Sequence, residues 1–249
     1  MCKASEFAKQ EARELLGQIK QCVDPMPKES GVDFAPTAIR TYGVKVPQLR
    51  QVAKAWYRAH KGIDQPRLFG LVRTLWDSGS REERSLVFYL LEHWAKWVPD
   101  LVQDDFDHWR RGLDSWTETD GLSWMLALWL AGAPHERLPY LRELIGDDDV
   151  WSRRLALVPL ARINRGKLGF TAPDLTWELI DRVKHERHPM ITKAISWVLR
   201  ETTKTHRQEV IDYLDRNRDV LAHHVVREVE NKLRTGLKSG KRRKRKTAQ

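Results

Sequence analysis

Glu83-Arg84-Ser85-Leu86-Val87-Phe88-Tyr89-Leu90, Thr119-Asp120-Gly121-Leu122-Ser123-Trp124-Met125-Leu126, Arg153-Arg154-Leu155-Ala156-Leu157-Val158-Pro159-Leu160 and Thr192-Lys193-Ala194-Ile195-Ser196-Trp197-Val198-Leu199 are four versions of one segment. Their second residues fall at 84, 120, 154 and 193, which gives spacings of 36, 34 and 39 residues. Periods in this range indicate arrays of helical hairpins, and HEAT-like repeats are the most variable in length. Apolar residues in and around these segments recur at three and four rather than two, so the segments are helices. Pro159 is expected to kink its helix.

Outward from these segments, the chain is punctuated at short intervals. Gly43/Pro47, Gly62/Pro66, Ser78/Gly79/Ser80, Pro99, Gly112, Gly132/Pro134, Gly146, Gly166/Gly169, Pro173 and Pro189 break it, as do Pro25, Pro27, Gly31 and Pro36 nearer the start. Roughly a dozen helices of ordinary length fit between the breaks, and no segment alternates as a strand does. The expected fold is all-α, a curved solenoid of HEAT-like antiparallel helical pairs, with a compact helical bundle as the alternative. One such domain is expected over residues 1–235 and a disordered basic tail over 236–249.

Composition narrows the function. The 249 residues carry a net charge of +10 and 41% apolar side chains, enough to build a core. Seven of the cations lie in 238–246, from Lys238 to Lys246, with no acid among them, which leaves +3 for the rest. That tail has nothing apolar to bury. It can hold phosphates, serve as a localisation signal or simply aid solubility. No apolar run approaches the roughly 20 residues of a membrane helix, and the start Met1-Cys2-Lys3-Ala4-Ser5-Glu6 lacks a signal-peptide core. A cytoplasmic, nucleoid-associated location is expected in a bacterium and a nuclear one in a eukaryote. Cys2 and Cys22 are expected as free thiols, and the histidines show no metal-ligand spacing, so neither metal nor cofactor is expected.

The second position of the repeat reads Arg84, Asp120, Arg154, Lys193. Stacked repeats line up equivalent positions, and a row of cations suits a phosphate backbone. An acid in that row needs another explanation. Around it, Ser115-Trp116-Thr117-Glu118 fits a capping box, with Ser115 as N-cap and Glu118 reaching back. Leu122, Met125, Leu126, Trp129 and Leu130 form the core stripe, so Trp116 and Asp120, four residues apart, share the opposite face. Packing and helix-dipole roles explain these two residues as well as a site does. In the last full repeat the buried stripe is Ile191, Ala194, Ile195, Val198, Leu199 and Thr202. Trp197 falls about 130° from its centre, beside Lys193 and Arg200. An off-stripe indole among cations suits stacking on a sugar or base. Trp76, Trp94, Trp129 and Trp177 read as core. Glu118 and Asp120 do not face each other, so no two-carboxylate pair is formed.

Tyr42-Gly43-Val44-Lys45-Val46-Pro47-Gln48-Leu49-Arg50 resembles the N-terminal signature of the AlkD-type DNA alkylation repair proteins. Ser115-Trp116 with Asp120, Val150-Trp151-Ser152-Arg153-Arg154 and Lys193 to Glu201 resemble the family's later motifs, in order from about Ala35 to about Asp215. The resemblance implies a curved array of helical pairs that removes N3- and N7-alkylated purines from duplex DNA. It assigns Asp120 as the catalytic carboxylate, Trp116 and Trp197 as its flanking aromatics, and Arg154 as a cation on the DNA backbone. An aromatic that should approach DNA from an N-terminal helix is left between Phe34 and Tyr42. The expected partner is double-stranded DNA with alkylated bases, engaged by a monomer. A non-catalytic DNA-binding repeat protein is the competing function. A protein scaffold would not account for the cationic row and its single acid.

Overall fold

The computed structural model describes residues 5–23 and 36–241. Cys2, Phe34, the Pro25/Pro27/Gly31 break and the tail cations from Arg242 to Lys246 lie outside the described residues. Within them are thirteen α-helices and one 3-10 helix, and the sole β-bridge joins Arg40 to Ser80. The chain divides into two compact units, Met1–Gly132 and Ala133–Gln249.

The first unit contains α1 (Glu6–Gln21), α2 (Val46–Ala59), α3 (Gln65–Asp77), α4 (Arg81–His93), the 3-10 helix Ala95–Asp100, α5 (Gln103–Arg110) and α6 (Trp116–Gly132). Helices two apart pack side by side, α1 on α3, α2 on α4 and α4 on α6, while α3 also packs on α4. The second unit contains α7 (Pro134–Arg137), α8 (Pro139–Leu144), α9 (Val150–Ile163), α10 (Pro173–Val183), α11 (Pro189–Thr202), α12 (Arg207–Asn217) and α13 (His223–Thr235). Here α9 packs on α11, α11 on α13, and α10 on both α9 and α11. This next-but-one packing is that of stacked helical pairs.

Local chemistry sets the helix starts. Ser5, Asp64, Ser80 and Asp149 each accept a backbone N–H three residues on, and so satisfy one of the orphan donors there. Pro47, Pro66, Pro173 and Pro189 occupy first-turn positions, where no donor is lost. Pro159 lies inside α9, which continues through it. At the other end, α13 stops at Gly236 with φ 74°, a left-handed cap suited to glycine.

The Tyr42–Pro47 signature has a structural purpose. The buried Glu82 carboxylate at the start of α4 gathers the arm before α2. Its Oε1 accepts from Thr41 Oγ1 (3.1 Å) and from the amides of Tyr42 (3.0 Å), Gly43 (2.8 Å) and Val44 (3.2 Å). Gly43 has φ 76°, which lets successive amides converge on one oxygen.

Trp76, Trp94 and Trp129 are buried as expected. Trp177 is not: it is half-exposed and stacks on Tyr213 at 4.9 Å between centroids. Residues 236–241, placed in the tail by composition, form turns attached to α13. Asn231 donates to the Lys238 carbonyl (3.3 Å), and Lys238 Nζ lies 3.3 Å from Glu228 Oε1.

Candidate functional site

In the first unit the site is built on α6. The loop before it is tied down by Asp114, whose carboxylate accepts from the Thr37 hydroxyl and the Ala38 amide at 2.5 Å each. Ser115 is buried, and its carbonyl takes both the Thr119 amide (3.2 Å) and hydroxyl (2.8 Å). One side of α6 is wholly interior: Glu118, Thr119, Leu122, Ser123, Met125, Leu126, Trp129 and Leu130 are buried. The other side carries Trp116, 36% exposed, and the half-exposed Asp120 and Trp124. The structure therefore brings Trp116 and Asp120 onto one face, one turn apart. Close approach of α4 also matters here, since a side chain at Gly121 would run into the Phe88 ring.

Glu118 stands in the first turn of α6 and reaches inward as well as back to Ser115. It is 1% exposed and points inward, with Oε1 3.6 Å from Arg84 Nη1 and Oε2 only 3.4 Å from Ser115 Oγ. Burial, reinforced by the Asp114 charge, raises its pKa above the usual carboxylate value, against the opposing pull of Arg84, Ser115 and Arg81.

In the second unit α11 presents exposed Lys193 and half-exposed Trp197 one turn apart. Arg200, expected beside them as a phosphate contact, has a side chain only 14% exposed. Its Nε donates to Ser196 Oγ (3.2 Å) and lies 3.8 Å from Glu228 Oε2, which itself accepts the Ser196 hydroxyl (2.5 Å). The Arg200 charge is thus already balanced by Glu228.

Two cations of the row also turn inward. Arg84, with a side chain 12% exposed, donates from Nη1 to the Gly112 carbonyl at 2.8 Å and covers the Trp76 ring at 5.0 Å. Arg154 is 5% exposed and donates from Nη1 to the Met190 carbonyl at 2.7 Å. Equivalent repeat positions thus bend the same way, each reaching a carbonyl near the start of the next-but-one helix. Repeat spacing sets the equivalence, whereas tertiary contacts set whether a long side chain turns outward or inward. Of the three cations in the row, Lys193 alone is exposed.

Two features escaped the sequence reading. Arg50, Lys54 and Arg58 form an exposed stripe on α2, at four-residue spacing and opposite buried Leu49, Val52, Ala53 and Trp56. Arg50 also stacks over Tyr89 at 4.3 Å and pairs with Glu92 at 2.6 Å. Trp124 is the other: it occupies the repeat position of Trp197. Among the described residues no group of three or more His, Cys, Asp or Glu gathers as a metal site, and no helix is long and apolar enough to cross a membrane.

Residues 15–233 match the family model described as DNA alkylation repair enzyme. Among solved structures, a predicted DNA alkylation repair enzyme from Enterococcus faecalis is similar at 19% identity and a TM-score of 0.61, over 92% of this chain and 95% of that one. AlkD2 from Streptococcus mutans is similar at 16% identity and a TM-score of 0.52, over 84% of this chain and 89% of that one. Both likenesses concern the all-helical fold. No curated protein matches the chain.

Proposed function

This chain belongs to the DNA alkylation repair enzyme family, and from that premise we propose that it hydrolyses the N-glycosidic bond of cationic N3- and N7-alkylated purines in double-stranded DNA. The observation that carries the reading is the α6 face on which a half-exposed carboxylate, Asp120, stands one turn from the exposed indole of Trp116.

Cleavage breaks the C1′–N bond. The alkylated base leaves with the bonding pair and becomes neutral, while positive charge develops on the deoxyribose. Water then forms the C1′–O bond and gives up a proton. A fixed carboxylate stabilises the developing charge and orients the water. Trp116, and Trp197 in the second unit, offer ring faces that attract cations by about 1–2 kcal/mol each when desolvated. Lys193 and the α2 cations Lys54 and Arg58 are exposed charges suited to phosphates.

A neutral purine leaves poorly without a proton donor. Glu118, the nearby acid with a raised pKa, is buried on the far side of α6 from Asp120 and cannot serve. A base that arrives already charged needs no such donor, which supports the choice of cationic substrates. The test is base release from duplexes containing N7-methylguanine or hypoxanthine. Release of the first and not the second is expected; comparable rates on both would require a proton donor and end this mechanism.

A further inference from the structure

From the way the chain leaves α13, we infer that the turn 236–241 is an anchor that delivers the cations from Lys241 to Lys246, together with Arg227, onto duplex phosphates beside Lys193 and Trp197. This second DNA-contacting surface rests on the DNA-binding part of the proposed function and is independent of its bond-breaking chemistry.

The turn is fastened at both ends. Asn231 on α13 donates to the Lys238 carbonyl (3.3 Å), and the Gly240 amide donates to the Leu237 carbonyl (3.3 Å). At Gly240, with φ 72°, a side chain would come within 2.7 Å of Asn231 Oδ1, so the chain passes close against α13 where only a glycine fits. Lys238 Nζ lies 3.3 Å from Glu228 Oε1, and the other oxygen of that carboxylate accepts the Ser196 hydroxyl at 2.5 Å. Ser196 precedes Trp197 and lies three residues after Lys193, so one carboxylate links the turn to α11 within a helical turn of both.

Charge says what the turn presents. Glu228 already faces two cations, Arg200 and Lys238, and no acid follows Glu230 in the sequence. Lys193, Arg227 and Lys241 are exposed, and Arg227 lines the same hollow as Lys238 and Ser239 of the turn. The sequence then adds Arg242, Arg243, Lys244, Arg245 and Lys246. After Leu237 the only apolar side chain is Ala248, which offers a protein partner almost nothing to bury. A segment recognised by charge density alone suits a polyanion, which gains by counterion release. Its launch point beside Lys193 and Trp197 makes that polyanion the duplex rather than a separate partner.

The test is the affinity of the whole chain for unmodified duplex DNA as a function of salt. Arg227→Gln with Lys241→Gln should lower the slope of log affinity against log salt by about two units. Arg242→Gln, Arg243→Gln, Lys244→Gln, Arg245→Gln and Lys246→Gln together should lower it by about three to five units, with the unfolding midpoint unchanged. A long Gly/Ser linker inserted between Gly240 and Lys241 keeps every charge but frees it from the turn, and should weaken binding roughly fivefold. Slopes equal to that of wild type would overturn the contact with DNA, and undiminished affinity of the linker variant would overturn the anchor. Release of N7-methylguanine by wild type is measured alongside. Its absence together with the expected slopes would sink the glycosylase reading alone, and its presence with unchanged slopes would sink this inference alone.

Discussion

Arg84 Nη1 donates to the Gly112 carbonyl at 2.8 Å while lying 3.6 Å from Glu118 Oε1, so a single guanidinium ties α4 to the loop and helix that carry Asp120. Removing it orphans a carbonyl and leaves a buried carboxylate without its cation. Arg84→Ala should destabilise the protein by about 3 kcal/mol, seen in chemical unfolding. Arg154→Ala loses the bond to Met190 and should cost about 2 kcal/mol. Wild-type stability for both would mean that these arginines are surface cations after all.

Lys193 is the opposite case, since it is exposed and has little to do with packing. Lys193→Ala should leave unfolding unchanged within about 0.5 kcal/mol. It should also lower the slope of log affinity against log salt for duplex DNA by about one unit. A slope identical to that of wild type would remove Lys193 from the interface.

Glu118 makes stability depend on pH. Its folded pKa is raised, chiefly by burial, so the folded chain holds that proton more tightly than the unfolded chain does. The stabilisation is fully present below the ordinary value of 4.5 and is lost as pH rises through the raised one. The stability of wild type relative to Glu118→Gln should therefore fall as pH rises above 4.5. A difference that stayed flat or grew would contradict the placement of this carboxyl.

The arm before α2 depends on a left-handed glycine. Gly43→Ala forces a side chain to φ 76° and should cost about 1–2 kcal/mol. Glu82→Ala, which removes the shared acceptor of the Tyr42, Gly43 and Val44 amides, should cost more. Thermal unfolding of the two variants checks the ranking, and equal, negligible effects would show that the arm is not held this way.

How far the sequence could be read follows from these same residues. Helical period and the repeat were legible because they are written in local spacing, and breaks such as Ser80 and Pro189 fall at helix starts; that Asp149 caps α9 was not read from the sequence. Trp116 and Asp120 were legible because 3.6-residue geometry alone puts them off the buried stripe. The direction of Arg84, Arg154 and Arg200 was not legible because a guanidinium reaches far enough to leave its own face. Its destination, a carbonyl 28 or 36 residues away or the Glu228 carboxylate, is a tertiary fact. Glu82 was missed for the same reason: nothing local shows that its oxygen collects amides from residues 42–44.

The central claim is that Asp120 is a catalytic carboxylate rather than a helix-surface acid, and single-turnover release of N7-methylguanine by Asp120→Asn tests it most directly. The substitution keeps the shape and removes the charge. Release should slow by roughly a hundredfold or more, while affinity for the same duplex persists or improves because a negative charge has left the surface proposed to face DNA. An Asn variant that releases the base at the wild-type rate would contradict the account.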